Sequence, residues 1–239
     1  MRNLDQRSHE EEIMDDLLFE GEMMDQTLRE LDFINQWLGG NAVTLAAFRH
    51  FEDRMQVAKE VHVLDVGCGS GEMLRLLTDW AAKRGIRLIG IGIDANPHIV
   101  DYARKASEKY PDLQFLDYNI FSEEYKNLRT DIVLSTLFTH HFSEAQLIDY
   151  YTTAQKQARW GVITNDLHRN FLAYYSIKWL TAWFSKSEMV KFDAPLSVAR
   201  GFKKKELSQL MRNFPEARFQ LRWRWAFRWV LIWHTDDTH

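Results

Sequence analysis

The sequence predicts an α/β fold, a doubly wound and mostly parallel sheet, and three observations carry that prediction. Apolar, β-branched runs alternate with helical stretches over most of the chain. The run Val61, Val63, Leu64, Val66 passes through Asp65 directly into the alternating glycines Gly67, Gly69 and Gly71. A second apolar run, Arg87 to Asp94, ends on an acid 23 residues after Gly71.

Val61 to Val66 is apolar enough to be covered on both faces, as a central strand of a parallel sheet is. The three glycines lack Cβ atoms, so the turn can take positive φ and a ligand can approach its amides closely. Glu72 to Arg84 then reads as a helix with Met73, Leu74, Leu76, Leu77 and Trp80 on or near one face. Arg87 to Asp94 is the second strand, and a helix starts near Pro97. Leu113 to Asp117 is the third strand and leads into Tyr118-Asn119-Ile120-Phe121. Asp131 to Ser135 is the fourth, Ser143 to Ala158 a helix, and Trp160 to Asn165 the fifth strand. An aromatic helix, Phe171 to Phe184, and a helix from Lys203 to Met211 precede two final strands, Phe219 to Trp225 and Phe227 to Trp233.

Strand, glycine turn and helix form the nucleotide-binding opening of a doubly wound sheet. A dinucleotide fingerprint reads G-x-G-x-x-G and places a pyrophosphate at the helix N-terminus, whereas this chain reads G-x-G-x-G with Asp65 two residues before it. An acid there repels a pyrophosphate and suits the ammonium and sulfonium charges of S-adenosylmethionine. The stretch resembles the glycine-rich first motif of S-adenosylmethionine-dependent methyltransferases. That resemblance spans roughly residues 35–235 and implies a seven-stranded sheet whose last strand is antiparallel, with an N-terminal helical extension and a helical lid insertion at about 170–202.

It also implies a cofactor site. Asp65, Gly67, Cys68, Gly69 and Gly71 would surround the donor, and Asp94, with Ala95 beside it, would accept hydrogen bonds from the ribose hydroxyls. Ile120 would cover the adenine, and Ser135 would close the set from the fourth strand. Methyltransferases of this type usually have an acid facing the adenine amino group. Asn119 stands at the best-aligned position and can accept the same hydrogen, with Asp117 as its rival. Cys68 is the single cysteine, and its place inside the turn favours a small residue chosen for fit over a nucleophile.

Ligands of open α/β sheets sit beyond the carboxyl ends of the strands. The segments after strands four and five read Thr136-Leu137-Phe138-Thr139-His140-His141-Phe142 and Asp166-Leu167-His168-Arg169-Asn170. His141 and His168 are therefore candidate general bases for a phenolic acceptor, with Asp166 as an orienting carboxylate. The competing reading has His140 and His141 packing against or capping the next helix. No metal is expected, because paired-ligand spacing is missing and adjacent histidines are poorly placed to chelate one ion together.

The 239 residues are 46% hydrophobic, enough for one large core. Residues 1–34 hold 11 Asp or Glu against three Arg, a local charge of −8, which leaves +4 for residues 35–239. This acidic arm carries enough apolar residues, among them Leu17, Met24 and Leu28, to dock one or two helices, while its first dozen residues read as disordered. The absence of a signal-like start and of any 18-residue apolar run points to a cytoplasmic protein with no integral membrane segment. Nucleic-acid binding is not expected: the chain is acidic overall, and Arg222-Trp223-Arg224-Trp225 alternates as a half-buried strand does. The aromatic helix reads first as a lid over a lipophilic aromatic substrate, with homodimer packing or a membrane-surface contact as the other uses of such a face.

Four phrases, Met14-Asp15-Asp16, Asn35 to Gly40, Asn165 to Arg169 and Ser197 to Phe202, together resemble bacterial small-molecule methyltransferases encoded beside polyketide or aryl-polyene pigment pathways. These are similar to quinone-ring methyltransferases. The resemblance implies a small aromatic, phenolic or polyketide-derived acceptor, with O-methylation favoured over C-methylation. The alternatives are methylation of a macromolecule and a non-catalytic S-adenosylmethionine-binding or interaction protein.

Overall fold

The structure is a computed structural model that describes residues 2–235. Three helices, α1 (Glu22–Trp37), α2 (Gly40–Phe48) and α3 (Glu52–Ala58), precede the sheet. The alternating region follows as β1 (Glu60–Val66), α4 (Glu72–Ala82), β2 (Arg87–Asp94), α5 (Pro97–Ala106), β3 (Leu113–Asp117), α6 (Glu123–Lys126), β4 (Thr130–Thr136), α7 (Glu144–Gln157) and β5 (Ala158–Leu167). The chain then runs through α8 (Phe171–Phe184), α9 (Glu188–Arg200), α10 (Lys204–Leu210), β6 (Arg218–Arg224) and β7 (Arg228–His234).

The seven strands lie in the order β3-β2-β1-β4-β5-β7-β6. The first five pair in parallel, and β7 inserts antiparallel between β5 and β6. Strand order reverses between β1 and β4, which places the ends of both strands at the crevice where such sheets bind ligands. Period-two alternation divides the sheet between two cores. Val61 and Val63 face Leu74 and Leu77 of α4 with Val100 and Ala103 of α5, while Leu64 and Val66 face Leu147, Tyr150 and Tyr151 of α7. The predicted α/β, doubly wound, mostly parallel seven-stranded sheet is the observed fold, and Arg222 to Arg224 lie on its edge strand β6.

Two expectations are corrected. The first dozen residues read as disordered because charge dominates them, yet they pack as a strap. The Ser8 amide donates to the Ala199 carbonyl at 3.0 Å, and Arg7 donates to the carbonyls of Arg200 and His140 at 2.8 and 2.7 Å. The Arg7 guanidinium also lies over the Phe202 ring, so the strap is held by carbonyls and a ring that composition cannot reveal.

The second correction concerns the aromatic helix. α8 packs against α9 through Ala173, Tyr174 and Thr181, and leaves Trp179, Trp183 and Phe184 exposed. It contributes nothing to the wall of the ligand cavity described below. A helix apolar on all sides carries no periodicity to say which face meets which partner. The roof comes instead from the strap and α1.

Candidate active site

The crevice at the ends of β1 and β4 holds a cavity of about 430 Å³, within the range of small-molecule sites. Its floor is the glycine turn. Gly67, Gly69 and Gly71 have φ of 70°, 50° and 77°, the left-handed region that costs side chains free energy. The Gly67 and Cys68 amides donate to the Ile93 carbonyl at 2.8 and 2.9 Å, which pins the turn to β2. A Cβ on Gly67 would collide with the Phe138 ring, whereas one on Gly69 would meet no atom within 4 Å. Gly69 therefore presents bare backbone to open space, as a close ligand approach requires.

Two acids stand beside this turn. Burial and the neighbouring Asp94 push Asp65 up to about 7. Asp94 is also raised, by burial, although its Oδ2 accepts the Gly69 amide at 3.3 Å and its Oδ1 the Asn96 amide at 3.1 Å. Such a pair is costly without a cationic ligand. Asp65, Gly67, Cys68, Gly69, Asp94, Ala95, Asn119 and Ile120 all line the cavity. The Asn119 Oδ1 already accepts the Phe121 amide at 2.9 Å and keeps a second lone pair for a ligand. Its rival Asp117 is exposed at the end of β3 and does not line the cavity.

Two members of the expected set lie elsewhere. Gly71 serves as the N-cap of α4 and backs onto Phe115. Ser135 is fully buried, with its hydroxyl 3.1 Å from that of Thr164, because alternation along β4 turns Thr136 rather than Ser135 to the cavity.

The three histidines do not converge. His140 and His141 occupy one 3-10 turn after β4. His168 lies outside the cavity wall: its Nδ1 accepts the Trp223 indole N–H at 3.2 Å and its ring packs on Trp229 at 5.2 Å. Asp166 does orient a histidine, but it is His140. It meets the His140 Nδ1 at 2.7 Å and accepts the Thr139 hydroxyl and the His140 amide. Burial opposes ionisation of Asp166, yet His140 and Thr139 hold it well below the usual carboxylate range. Burial likewise depresses His140, but Asp166 and Glu12 outweigh it and push the imidazole up to about 9.

His141 reaches the cavity and takes its partner from the strap, with Asp15 Oδ1 at 2.6 Å from its Nδ1. Asp15 is in turn bound by Arg200 Nη1 at 2.5 Å, and Arg200 Nη2 donates to the His141 carbonyl at 2.9 Å. Burial raises Asp15, but His141 and Arg200 prevail and hold it low. Asp193 of α9 accepts the Ile13 and Met14 amides at 2.8 and 3.0 Å and so fixes the strap segment that carries Asp15.

The strap as a cavity wall was missed in the sequence, whereas an N-terminal helix and a late insertion over the pocket are what the family resemblance implies. Glu12, Asp15, Leu28, Asp32 and Asn35 all line the cavity. Asp32 accepts the Ser70 hydroxyl at 2.7 Å, and burial pushes it up to about 6. Met14-Asp15-Asp16 and the Asn35 and Ser197 phrases were the legible signals, and each supplies a residue to this wall. Arg228 Nη2 donates to Asn35 Oδ1 at 3.1 Å, and the Arg228 guanidinium packs so tightly on Gly40 that a Cβ there would overlap it.

Comparison with known proteins agrees with this architecture. Residues 63–161 match the family described as a methyltransferase domain. A putative methyltransferase, 235L, of Invertebrate iridescent virus 6 is 30% identical over 87 residues, which is 36% of this chain and 30% of the viral protein's length. The plantazolicin methyltransferase BpumL, solved in complex with SAH, superposes with a TM-score of 0.57 at 15% identity, over 89% of this chain and 99% of that one. A SAM-dependent methyltransferase from Aquifex aeolicus superposes with a TM-score of 0.51 at 15% identity, over 73% and 82% of the two chains. The match to the methyltransferase-domain family covers 99 of the 239 residues, the stretch from β1 into β5, and the solved structures share the fold with this chain. Among the described residues no helix is long and apolar enough to cross a membrane.

Proposed function

We propose that this protein transfers the methyl group of S-adenosylmethionine to a small acceptor, with an aromatic hydroxyl oxygen favoured over a ring carbon. The observation that carries this reading is one cavity that joins the glycine turn and its two raised carboxyls to the His141–Asp15 pair. The residues fit the donor: Gly69 offers open backbone, Asp65 and Asp94 gain from its positive charges, and Ile120 offers an apolar face. The donor supplies an electrophilic methyl carbon on a sulfonium, whose departure as a neutral thioether makes transfer favourable.

The chain's own work is alignment and proton removal. An acceptor hydroxyl loses its proton to the His141 Nε2 as its oxygen forms the bond to carbon and the carbon–sulfur bond breaks. Asp15, held ionised by Arg200, stabilises the imidazolium and fixes Nδ1–H as the other donor. The apolar side of the wall, with Leu28, Leu31, Phe138 and Phe142, suits an aromatic acceptor. A homodimer, with the exposed aromatic face of α8 as its contact, belongs to the same reading. The test is incubation with methyl-labelled S-adenosylmethionine and a host extract split into organic-soluble and macromolecular fractions. Label in an organic-soluble product is expected; label confined to protein or RNA overturns the substrate class.

A further inference from the structure

We propose that Glu12, His140 and His141 form a binding site for one divalent transition-metal ion on the wall of the active-site cavity. The proposal rests on geometry and does not depend on methyl transfer, but it competes with the general-base role of His141, whose Nε2 an ion would occupy. Each of the three residues can offer a ligand atom, and these atoms lie within 4.8 Å of one another. Two imidazoles and a carboxylate are a common catalytic donor set, with the remaining position left to solvent or substrate.

Two buried atoms point to a ligand between them. The His140 Nε2 and Glu12 Oε1 have no hydrogen-bond partner, and their residues are only 2% and 6% exposed. They stand 3.6 Å apart, too far for a good hydrogen bond. Two ligands held at ordinary zinc distances of about 2.1 Å with a tetrahedral angle would be separated by about 3.4 Å. The observed gap suits an ion better than a shared proton.

The surroundings match the outer sphere of histidine metal sites, where each ligating imidazole donates its other N–H to a carboxylate. Here His140 Nδ1 pairs with Asp166 at 2.7 Å and His141 Nδ1 with Asp15 at 2.6 Å. With each Nδ1–H held by its carboxylate, Nε2 is the ring nitrogen left to bind an ion once it gives up its proton. The 3-10 turn brings the two rings together, with centroids 4.3 Å apart and tilted by 33°.

Charge is complementary as well. Glu12, Asp15 and Asp166 face the two imidazoles, against the guanidiniums of Arg7 and Arg200. With neutral histidines those five groups leave one negative charge, which favours a cation between them. Both arginines grip backbone carbonyls of the turn, Arg7 at His140 and Arg200 at His141. Arg200 Nη1 is nearer to Asp15, at 2.5 Å, than to Glu12 Oε1, at 3.4 Å. Nitrogen donors with one carboxylate select zinc, cobalt, iron or nickel over magnesium or calcium. An ion here would occupy the His141 Nε2 lone pair and offer in exchange a cationic point for an acceptor oxygen.

The test is titration of the metal-free full chain with Co²⁺, read by visible d–d absorption and by equilibrium dialysis. One ion per chain with d–d bands of low coordination number is expected, and Zn²⁺ should displace it. Glu12→Gln and His141→Ala should each weaken binding by at least the 10–100-fold that loss of an outer-sphere partner costs. X-ray absorption on the wild-type Zn²⁺ complex, which needs no variant, should show two imidazoles and an oxygen donor. No binding, binding untouched by both substitutions, or a zinc shell lacking imidazole each overturns the site. Any of these alongside intact S-adenosylmethionine binding would leave the methyl-transfer reading standing.

Discussion

Asp65→Asn tests whether the glycine turn is built for a cation. Burial and Asp94 raise Asp65 from an ordinary 3.8 to about 7. A carboxyl raised in the folded state keeps its proton while the unfolded chain loses it, so its contribution to stability falls as pH rises from about 4 to 7. About three pH units at 1.36 kcal/mol each give about 4 kcal/mol of destabilisation by pH 8. Asparagine carries no charge to desolvate. The ligand-free variant should therefore be more stable than wild type at pH 8, with a melting midpoint higher by up to roughly 10 °C, and equal to it near pH 4. S-adenosylmethionine favours the ionised carboxylate, so its affinity for wild type should rise with pH up to about 7 and release a proton on binding. The variant should lose that rise and bind more weakly. Differential scanning fluorimetry from pH 4 to 9, with calorimetry in buffers of different ionisation enthalpy, reads both effects. A variant that melts no higher at pH 8 and binds with an unchanged pH profile would refute the reasoning.

Three further outcomes follow from the geometry. Gly67→Ala should disturb folding because its Cβ overlaps the Phe138 ring, whereas Gly69→Ala should lower stability only by the left-handed backbone cost of about 1–2 kcal/mol while weakening the donor in calorimetry, since its Cβ enters open space. His141→Ala should lower kcat by about 10²–10⁴-fold, while His168→Ala, on the Trp223 and Trp229 side, should keep full turnover with the same acceptor. Asp166→Asn strips the buried His140 of its counter-charge and should cost about 3–5 kcal/mol in denaturant unfolding.

The sheet was legible because its strands are apolar on both faces and end in turn chemistry. Val61 to Asp65, the glycines and Asp94 declare their roles locally, within one strand–turn–helix unit. The remainder depends on contacts distant in sequence. Nothing near Glu12 or Asp15 says that they will meet His140 and His141, which lie 128 and 126 residues away. Asp166 and His168 are two residues apart, which strict alternation would put on one face, yet β5 ends at Leu167 and the bridge from His168 to Phe202 takes over, so the first meets His140 and the second Trp223. α8 misled for a different reason: its apolarity has no preferred face, so the sequence shows a surface without showing what it covers.

The central claim is that this cavity holds S-adenosylmethionine with its ribose on Asp94. The most direct measurement is calorimetric titration of S-adenosylmethionine into the wild-type chain and into Asp94→Ala. The account predicts one site per chain in the wild type and affinity weaker by about tenfold or more in the variant, the loss expected for hydrogen bonds to a charged acceptor. No binding to the wild type, or the same affinity in both, would contradict it.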